Sequence, residues 1–301
     1  MSQSIFYLLN EHSSSSLMAF IGGFVDAAGY LQLQGLFTSS ITGNLVVACA
    51  SIYDTYGVLC RALVSIFFFL GSAITAGVAL RIKSRFDLSA PVTAILLFSF
   101  QCAVIIIAII IGVIYDDKII KAESLSDWHT ILMGSILGFS MGVHNAVGKE
   151  CIPNCPSLTV ITMTLVTVAQ NLSQTLSYLL AKYSLIVLSS RPASSLDSTY
   201  RESMTAKYDQ SKQKLIISGN PLISFLFGAL IGTVTTKYFK FYCLVFVLFI
   251  LLVILADIIA QYCITQSWLI GCCSFQQEVP FHRTETADVE LVDSRKKEDA
   301  V

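Results

Sequence analysis

Residues 23–44 read GFVDAAGYLQLQGLFTSSITGN, an apolar stretch that carries one carboxylate, Asp26, with uncharged residues on both sides. A charge at the middle of a bilayer costs at least about 2.5–3.5 kcal/mol on insertion scales, so such a residue faces other helices or water rather than lipid. We therefore expect Asp26 to lie inside a bundle of helices.

The composition of the chain predicts an integral membrane protein. Of 301 residues, 54% are hydrophobic and 13% are charged, and the mean hydropathy is +0.71. Soluble domains carry about 25% charged residues. The formal net charge of −1 and the lack of basic runs exclude nucleic-acid binding. The nine cysteines show no CxxC pairs, so we expect neither a metal site nor a cofactor.

Hydropathy over windows of about 20 residues predicts an all-α, polytopic transmembrane helical bundle of about six to eight spans. The second candidate is short, and whether it spans fully, as a helix, or forms a half-helix or re-entrant segment is left open. The candidate spans are 16–36, 39–53, 58–81, 91–115, 129–148, 158–182, 219–239 and 242–264.

Three polar segments flank or interrupt the apolar sequence. They are an N-terminal tail at 1–14, a long segment at 183–218 and a C-terminal tail at 275–301. Long polar segments without apolar periodicity are typical of disorder. We expect the segment at 183–218 to be a disordered loop and the C-terminal tail to be disordered as well.

The chain repeats itself. FIGGFVDAAG at 20–29 aligns with FSMGVHNAVG at 139–148, which pairs Asp26 with Asn145. Further on, ITGNLV resembles ITMTLV, and FFFLGSAITAGV resembles FLFGALIGTV. Three matches in the same order predict two related helical units, at 15–115 and 128–264. The sequence leaves open whether the units insert in parallel or inverted orientation.

Glycines recur at helical spacing in two spans. Small residues on one helix face let two backbones approach closely in lipid, where the hydrophobic effect does not drive helices together. We expect these positions to be packing seams: Gly134, Gly138 and Gly142 in the fifth span, and Gly228 and Gly232 in the seventh.

Polar residues at equivalent points of the two units predict one substrate or ion site near the interface between them. An alternative is that the Ser and Thr residues cap the second helix and that Asn44 bonds to a neighbour. His144 is open to a second interpretation, as a neutral core histidine. The candidate site residues are Asp26, Thr42, Gly43, Asn44, His144, Asn145 and Thr162.

Two features concern the ends of the chain. Cys272 and Cys273 follow the last predicted span, where a cytoplasmic pair is a candidate for lipidation or stays unmodified. Most Lys and Arg residues outside the spans fall on one side of the predicted topology, which favours cytoplasmic N- and C-termini.

The stretch at 23–44, with G-F-x-D-A followed by T-G-N, and GVHNAVG at 142–148 resemble the two signatures of the YoaK-like family of uncharacterised membrane proteins. The resemblance covers roughly residues 15–260. It implies a multi-span helical bundle and assigns no activity. The long segment at 183–218 and the polar tail depart from the compact family pattern.

Two classes of function follow from these patterns. The first is a secondary transporter of a small polar solute, with proton coupling through Asp26 as an open possibility. The second is a scaffold or sensor that transports nothing and uses its polar core for packing. We expect no enzyme, because HExxH, GxSxG and clustered carboxylates are absent from the spans. The expected partners are the lipid bilayer and an unidentified small polar solute, with a homo-oligomer left open.

Overall fold

The computed structural model describes residues 9, 11–51, 57–86, 90–120, 125, 127–152, 161–188 and 195–276, and all regular structure in them is helical. The all-α class is therefore confirmed. The helices are α1 Glu11–Gln32, α2 Ile41–Ala50, α3 Val58–Phe86, α4 Ala90–Ile120, α5 Trp128–Cys151, α6 Ile161–Leu188, α7 Ser195–Phe239 and α8 Leu244–Gln276, with a 3-10 turn at Lys240–Cys243.

Each predicted span corresponds to one of these helices. Among the described residues, four segments are long and apolar enough to cross a membrane: Val58–Ser84, Ala90–Ile119, Trp128–Cys151 and Glu202–Ser267. The last of them contains most of α7, the 3-10 turn and most of α8. The chain is thus a multi-span membrane protein.

Buried and exposed side chains are distributed as expected for a protein surrounded by lipid. Large apolar side chains such as Phe69 and Ile114 are exposed, whereas Gln101 and His144 are fully buried. A hydrocarbon solvent accepts apolar side chains and rejects polar ones, so the polar residues are placed inside the bundle.

Helix α2 is too short to cross the bilayer. Its ten residues extend about 15 Å, roughly half of the hydrocarbon thickness. The chain reverses between α1 and α2 at Gln34 and Gly35, whose φ values are 52° and 81°. The Gly35 N–H donates to Tyr30 O at 2.8 Å and closes this turn. The structure therefore gives a helix of about half the length that a full span requires.

Two pairs of helices cross at glycines in the same way. In the α1–α7 pair, a Cβ on Gly23 would overlap Phe225 O, and a Cβ on Gly228 would overlap Phe20 O. In the α3–α5 pair, a Cβ on Gly142 would overlap Phe68 O. The partner of that contact is Gly71, whose Cβ would overlap Phe139 O. Both crossings therefore bring the two backbones into direct contact, and each joins a helix before residue 127 to one after it.

The predicted disordered loop at 183–218 is wrong for its described part. Helix α6 continues to Leu188, and α7 begins at Ser195. Polar side chains join the two helices: Asn171 Nδ2 donates to Ser218 Oγ at 3.0 Å, and the Thr175 and Ser211 hydroxyls lie 3.0 Å apart. The polar composition of this segment predicts a loop. The segment instead forms part of a helix, α7, that packs against α6.

The ends of the bundle also differ from the predicted boundaries. Helix α1 begins at Glu11, inside the predicted polar tail, and Ser14 is fully buried. At the other end α8 continues to Gln276, so Cys272 and Cys273 lie within a helix. Residues 277–301 of the predicted tail lie outside the described residues. Contacts divide the chain into residues 1–262 and a second unit, residues 263–301, whose described part is the end of α8.

Candidate functional site

The carboxylate of Asp26 holds the segment that leads into α2. Its Oδ1 accepts hydrogen bonds from the backbone N–H groups of Thr38 at 2.9 Å and Ser39 at 2.8 Å. Its Oδ2 accepts from the Ser40 hydroxyl at 2.8 Å. Thr38 Oγ1 lies 3.2 Å from Val25 O and 3.4 Å from Asp26 Oδ1. Both carboxylate oxygens therefore have partners, and all of these partners belong to residues 38–40.

This arrangement occupies backbone N–H groups of the segment that leads into α2. The backbone N–H groups of Thr38 and Ser39, just before the N-cap Ser40 of α2, bind an anion. The anion is the chain's own Asp26. The N–H groups of Ile41 and Gly43 are also engaged, since they donate to Ser39 O and Ser40 O.

A second group of side chains fixes the other half of the same loop. Asn44 donates from Nδ2 to Phe37 O at 2.5 Å and accepts at Oδ1 from Phe37 N at 3.1 Å. Arg61, on α3, donates from Nη1 to Gly35 O at 3.1 Å and lies 3.4 Å from Asn44 Oδ1. We name residues 33–40 the return loop. Asp26, Asn44 and Arg61 attach it to α1, α2 and α3.

His144 forms a separate polar group on α5. Its Nε2 lies 2.8 Å from Met18 O on α1, and its Nδ1 lies 2.5 Å from Gln101 Nε2 on α4. His144 and Gln101 have no exposed surface. The imidazole therefore connects three helices inside the bundle.

Several buried polar atoms near these groups have no hydrogen-bond partner within the described part of the chain. Each such atom carries a cost of roughly 1–3 kcal/mol unless water or a ligand satisfies it. They include Ser39 Oγ in the return loop, Gln101 Oε1, Ser140 Oγ and Asn145 Oδ1.

The structure does not bring all the predicted site residues together. Met18, which His144 contacts, precedes Asp26 by eight residues, or about 12 Å along α1. Thr42 is exposed, and Gly43 lies against the ring of Phe37. Thr162 belongs to α6, and its side chain lies outside the description. The described contacts therefore form two groups, one around Asp26 and one around His144.

Sequence reasoning missed two members of these groups, Arg61 and Gln101. Both are buried inside long apolar helices, with exposed fractions of 9% and 0%. A polar residue within an apolar span is itself the signal that applies here. Arg61 stands close to the start of its span, where the sequence does not separate a buried charge from a charge of the preceding loop.

Charged pairs lie near the helix ends. Lys83 pairs with Glu150 at 2.8 Å, and Lys240 pairs with Asp116 at 2.6 Å. Asp127, just before α5, accepts from His129 N at 2.8 Å and contacts His129 Nδ1 at 2.7 Å. These two hydrogen bonds lower the pKa of Asp127 below its ordinary value. Within the described ranges no three His, Cys, Asp or Glu residues lie close enough to hold a metal ion.

Comparisons with known proteins identify the family. Residues 15–262 match the family described as protein of unknown function (DUF1275), and the chain belongs to that family. The resemblance to an uncharacterised membrane-protein family is thereby confirmed. No curated protein and no solved structure matches the chain.

Proposed function

We propose that this member of the DUF1275 family is a secondary transporter of a small polar solute, in which Asp26 couples proton uptake to movement of the return loop and α2. The observation that carries this proposal is the buried carboxylate of Asp26, held by residues 38–40 at the start of a half-length helix. Transporter sites in membranes are built around such interrupted helices and their exposed backbone groups.

The coupling follows from the hydrogen bonds of Asp26. An ionised carboxylate is an acceptor only, and its charge strengthens the bonds that it accepts. A proton on Oδ2 removes the charge and turns that atom into a donor. Oδ2 and the Ser40 hydroxyl then each bring a hydrogen to a contact that has room for one. The loop is therefore held more weakly when Asp26 is protonated, and the two protonation states favour different loop conformations.

No described ion pair holds the carboxylate of Asp26, so the change in loop binding on protonation comes from the carboxylate itself. The buried cation of the region, Arg61, bonds to Gly35 O and Asn44 instead. None of the ion pairs found among the described residues includes Asp26. The unpartnered Ser39 Oγ lies in the same loop and offers a polar contact to a solute that enters there.

Two further elements complete the proposal. The matching contacts of Gly23 with Phe225 and of Gly142 with Phe68 support two repeated units whose helices pair across the halves of the chain. The unequal distribution of Lys and Arg supports cytoplasmic termini. We keep Cys272 and Cys273 as candidate lipidation sites in this orientation.

A scaffold or sensor is the second candidate, and one observation favours it. Both carboxylate oxygens of Asp26 accept hydrogen bonds from residues 38–40, as a structural carboxylate would. The two candidates differ in whether a solute crosses the membrane and whether Asp26 makes that crossing pH-dependent.

The test begins with a thermal-shift screen of small polar solutes on the purified protein, since a ligand of the native state raises its stability by mass action. Uptake of a stabilising solute into proteoliposomes is then measured with and without an imposed pH gradient. Asp26→Asn keeps an oxygen acceptor for Thr38 N and Ser39 N, so this variant should fold. We expect it to lose the pH dependence of uptake.

The matched control is Asp257→Asn. Asp257 is a second buried aspartate, and its carboxylate accepts a hydrogen bond from Leu9 N at 3.3 Å. This variant should keep pH-dependent uptake. Unchanged pH dependence in Asp26→Asn removes Asp26 from the coupling mechanism. Absence of uptake for every stabilising solute favours the scaffold.

A further inference from the structure

The hydrogen bonds of His144 determine which of its nitrogens carries the proton. Met18 O is a carbonyl and only accepts, so the Nε2 that lies 2.8 Å from it must carry a hydrogen. In the neutral ring Nδ1 is then an acceptor, and the Gln101 amide presents its Nε2–H₂ group to it at 2.5 Å. The orientation of the Gln101 amide is consistent with this tautomer.

The same geometry leaves one atom unused. Gln101 Oε1 is buried and has no partner among the described residues. Rotating the amide by a half-turn exchanges its oxygen and nitrogen with little change in shape. Nδ1 would then face an oxygen, which suits a ring that carries hydrogens on both nitrogens.

We propose that His144 and Gln101 form a second proton-binding site in the bundle core, where a proton taken up at His144 Nδ1 is accommodated by rotation of the Gln101 amide. The neutral ring donates to Met18 O and accepts from Gln101. The protonated ring donates to both, through Nε2–H to Met18 O and through Nδ1–H to Gln101 Oε1. The incoming proton occupies the Nδ1 lone pair and no covalent bond breaks. The hydrogen bond from Gln101 Nε2 to Nδ1 is replaced by one from Nδ1–H to Gln101 Oε1, and the site gains one positive charge.

No described charged group takes the place of the Gln101 amide at His144 Nδ1. The charged groups on α5 and on the helices packed against it either bond to other partners or lie elsewhere on these helices. On α1, Asp26 bonds to the return loop, and on α3 Arg61 bonds to Gly35 O and Asn44. Near the helix ends, Lys83 pairs with Glu150, Asp116 with Lys240, and Asp127 with His129. The other described titratable side chains of these helices are the exposed His12, Tyr30, Arg81, Asp117, Lys118 and Lys149, the partly buried Tyr115, and the buried Cys60, Cys102 and Cys151.

The site links three helices, so its charge state bears on their packing. Met18 lies on α1, Gln101 on α4 and His144 on α5. A positive charge in this buried position strengthens both hydrogen bonds of the ring, because charge-assisted bonds are roughly twice as strong as neutral ones. These stronger bonds oppose the desolvation penalty that burial places on the charged ring, so the charge state of His144 is coupled to the packing of α1 and α4 against α5. This site requires neither Asp26 nor transport.

The experiment is a pH titration of the full chain in lipid nanodiscs, with ¹⁵N-labelled histidine and long-range ¹H–¹⁵N correlation spectra. The chain has four histidines, and the signals of His144 are assigned by their loss in His144→Gln. We expect the Nε2–H tautomer at high pH and a doubly protonated ring at lower pH, while tryptophan fluorescence shows a folded protein.

Two variants at position 101 test the role of the amide. Gln101→Glu places a carboxylate beside Nδ1 and should raise the titration midpoint of His144 by about 1 pH unit or more. Gln101→Leu removes both the donor and the acceptor and should lower the midpoint. The matched control is Gln170→Glu, at an exposed glutamine on α6, which should leave the midpoint unchanged.

Three results would overturn the proposal. They are an Nδ1–H tautomer at high pH, a His144 ring that stays neutral in the wild type until the protein unfolds, or one midpoint shared by the wild type and Gln101→Glu. If Gln101→Leu does not fold, the comparison of wild type with Gln101→Glu decides the outcome alone.

Discussion

At the scale of single residues, glycines determine how closely the helices approach. Gly71 and Gly77 both lie on α3, and only the first faces another helix. A Cβ on Gly71 would overlap the backbone oxygen of Phe139, whereas nothing lies within 4 Å of a Cβ on Gly77. A backbone oxygen cannot rotate away as the end of a side chain can, so the two helices would have to separate.

The first prediction compares alanine at these two positions. Gly71→Ala should destabilise the protein by about 1–3 kcal/mol, the usual cost of inserting a methyl group into a packed interior. Gly77→Ala should be neutral or stabilising by up to about 1 kcal/mol, because alanine has the higher helix propensity. Thermal unfolding of detergent-solubilised protein, followed by size-exclusion chromatography, measures both. Equal melting temperatures for the two variants would contradict the close crossing of α3 and α5.

The residues around Asp26 and His144 show how far the sequence predicts a site. Asp26 and His144 were recognised because a polar residue inside an apolar span needs a partner. Their backbone partners could not be predicted, since the N–H groups of residues 38–39 and Met18 O have no side-chain signature. The expected proximity of Asp26 and Asn145 stays a prediction, since no contact between them is described. The described polar contacts form two separate groups, one around Asp26 and one around His144.

At the scale of helices, Asp127 provides the N-terminal cap of α5. Its carboxylate accepts from His129 N, one of the N–H groups that have no partner within the helix. This contact and the one to His129 Nδ1 lower the pKa of Asp127. The folded protein therefore prefers the ionised carboxylate, which couples the stability of α5 to pH.

The second prediction concerns this cap. Asp127→Ala should lower the free energy of unfolding at neutral pH by about 1 kcal/mol. Asp127→Asn should retain most of the cap, since asparagine is an equally good N-cap, and lose only the effect of the charge. A group with a lowered folded-state pKa stabilises above its unfolded value and loses this contribution as pH falls through the folded value.

The pH series separates the two effects. The difference in melting temperature between wild type and Asp127→Asn should level off well above pH 3.8, the ordinary pKa of the group, and shrink as the pH falls through and below that value. The difference between Asp127→Asn and Asp127→Ala should not depend on that titration. A wild-type advantage over Asp127→Asn that grows in acid would contradict the assignment.

Helix boundaries show why hydropathy predicts some elements and not others. Every apolar span was predicted, because crossing hydrocarbon requires about 20 apolar residues. The N-terminal part of α7 was not, since Ser211 and Lys214 read as a polar loop. Its order depends on α6, where Asn171 and Thr175 bond to that stretch. Such lateral bonds between polar helices leave no mark in a hydropathy window.

At the scale of the whole molecule, each close crossing joins the first half of the chain to the second. Gly23 on α1 contacts the backbone of α7, and Gly142 on α5 contacts the backbone of α3. Helices α1 and α3 of the first half therefore find their closest neighbours, α7 and α5, in the second half. A bundle made of two self-contained halves would instead place both crossings within the halves.

The third prediction separates these arrangements by dividing the chain. Fragments 1–126 and 127–301, expressed separately, should aggregate or be degraded, because α1 and α3 lack α7 and α5 as partners. Expressed together with a tag on one fragment, they should co-purify and elute from size-exclusion chromatography at the volume of the intact protein. Since backbone contact at the crossings holds the fragments together, a methyl group there should separate them.

Alanine variants within the divided chain make the test specific. Gly142→Ala in the second fragment should greatly reduce the recovery of the first, because its Cβ overlaps Phe68 O across the division. Gly77→Ala in the first fragment should leave recovery unchanged, because its Cβ meets no atom within 4 Å. Either fragment folding alone as a protease-resistant monomer would show that the halves are self-contained. Equal recovery with both variants would show that the glycine crossings do not hold the halves together, and the proposed pairing across the repeat would then be wrong.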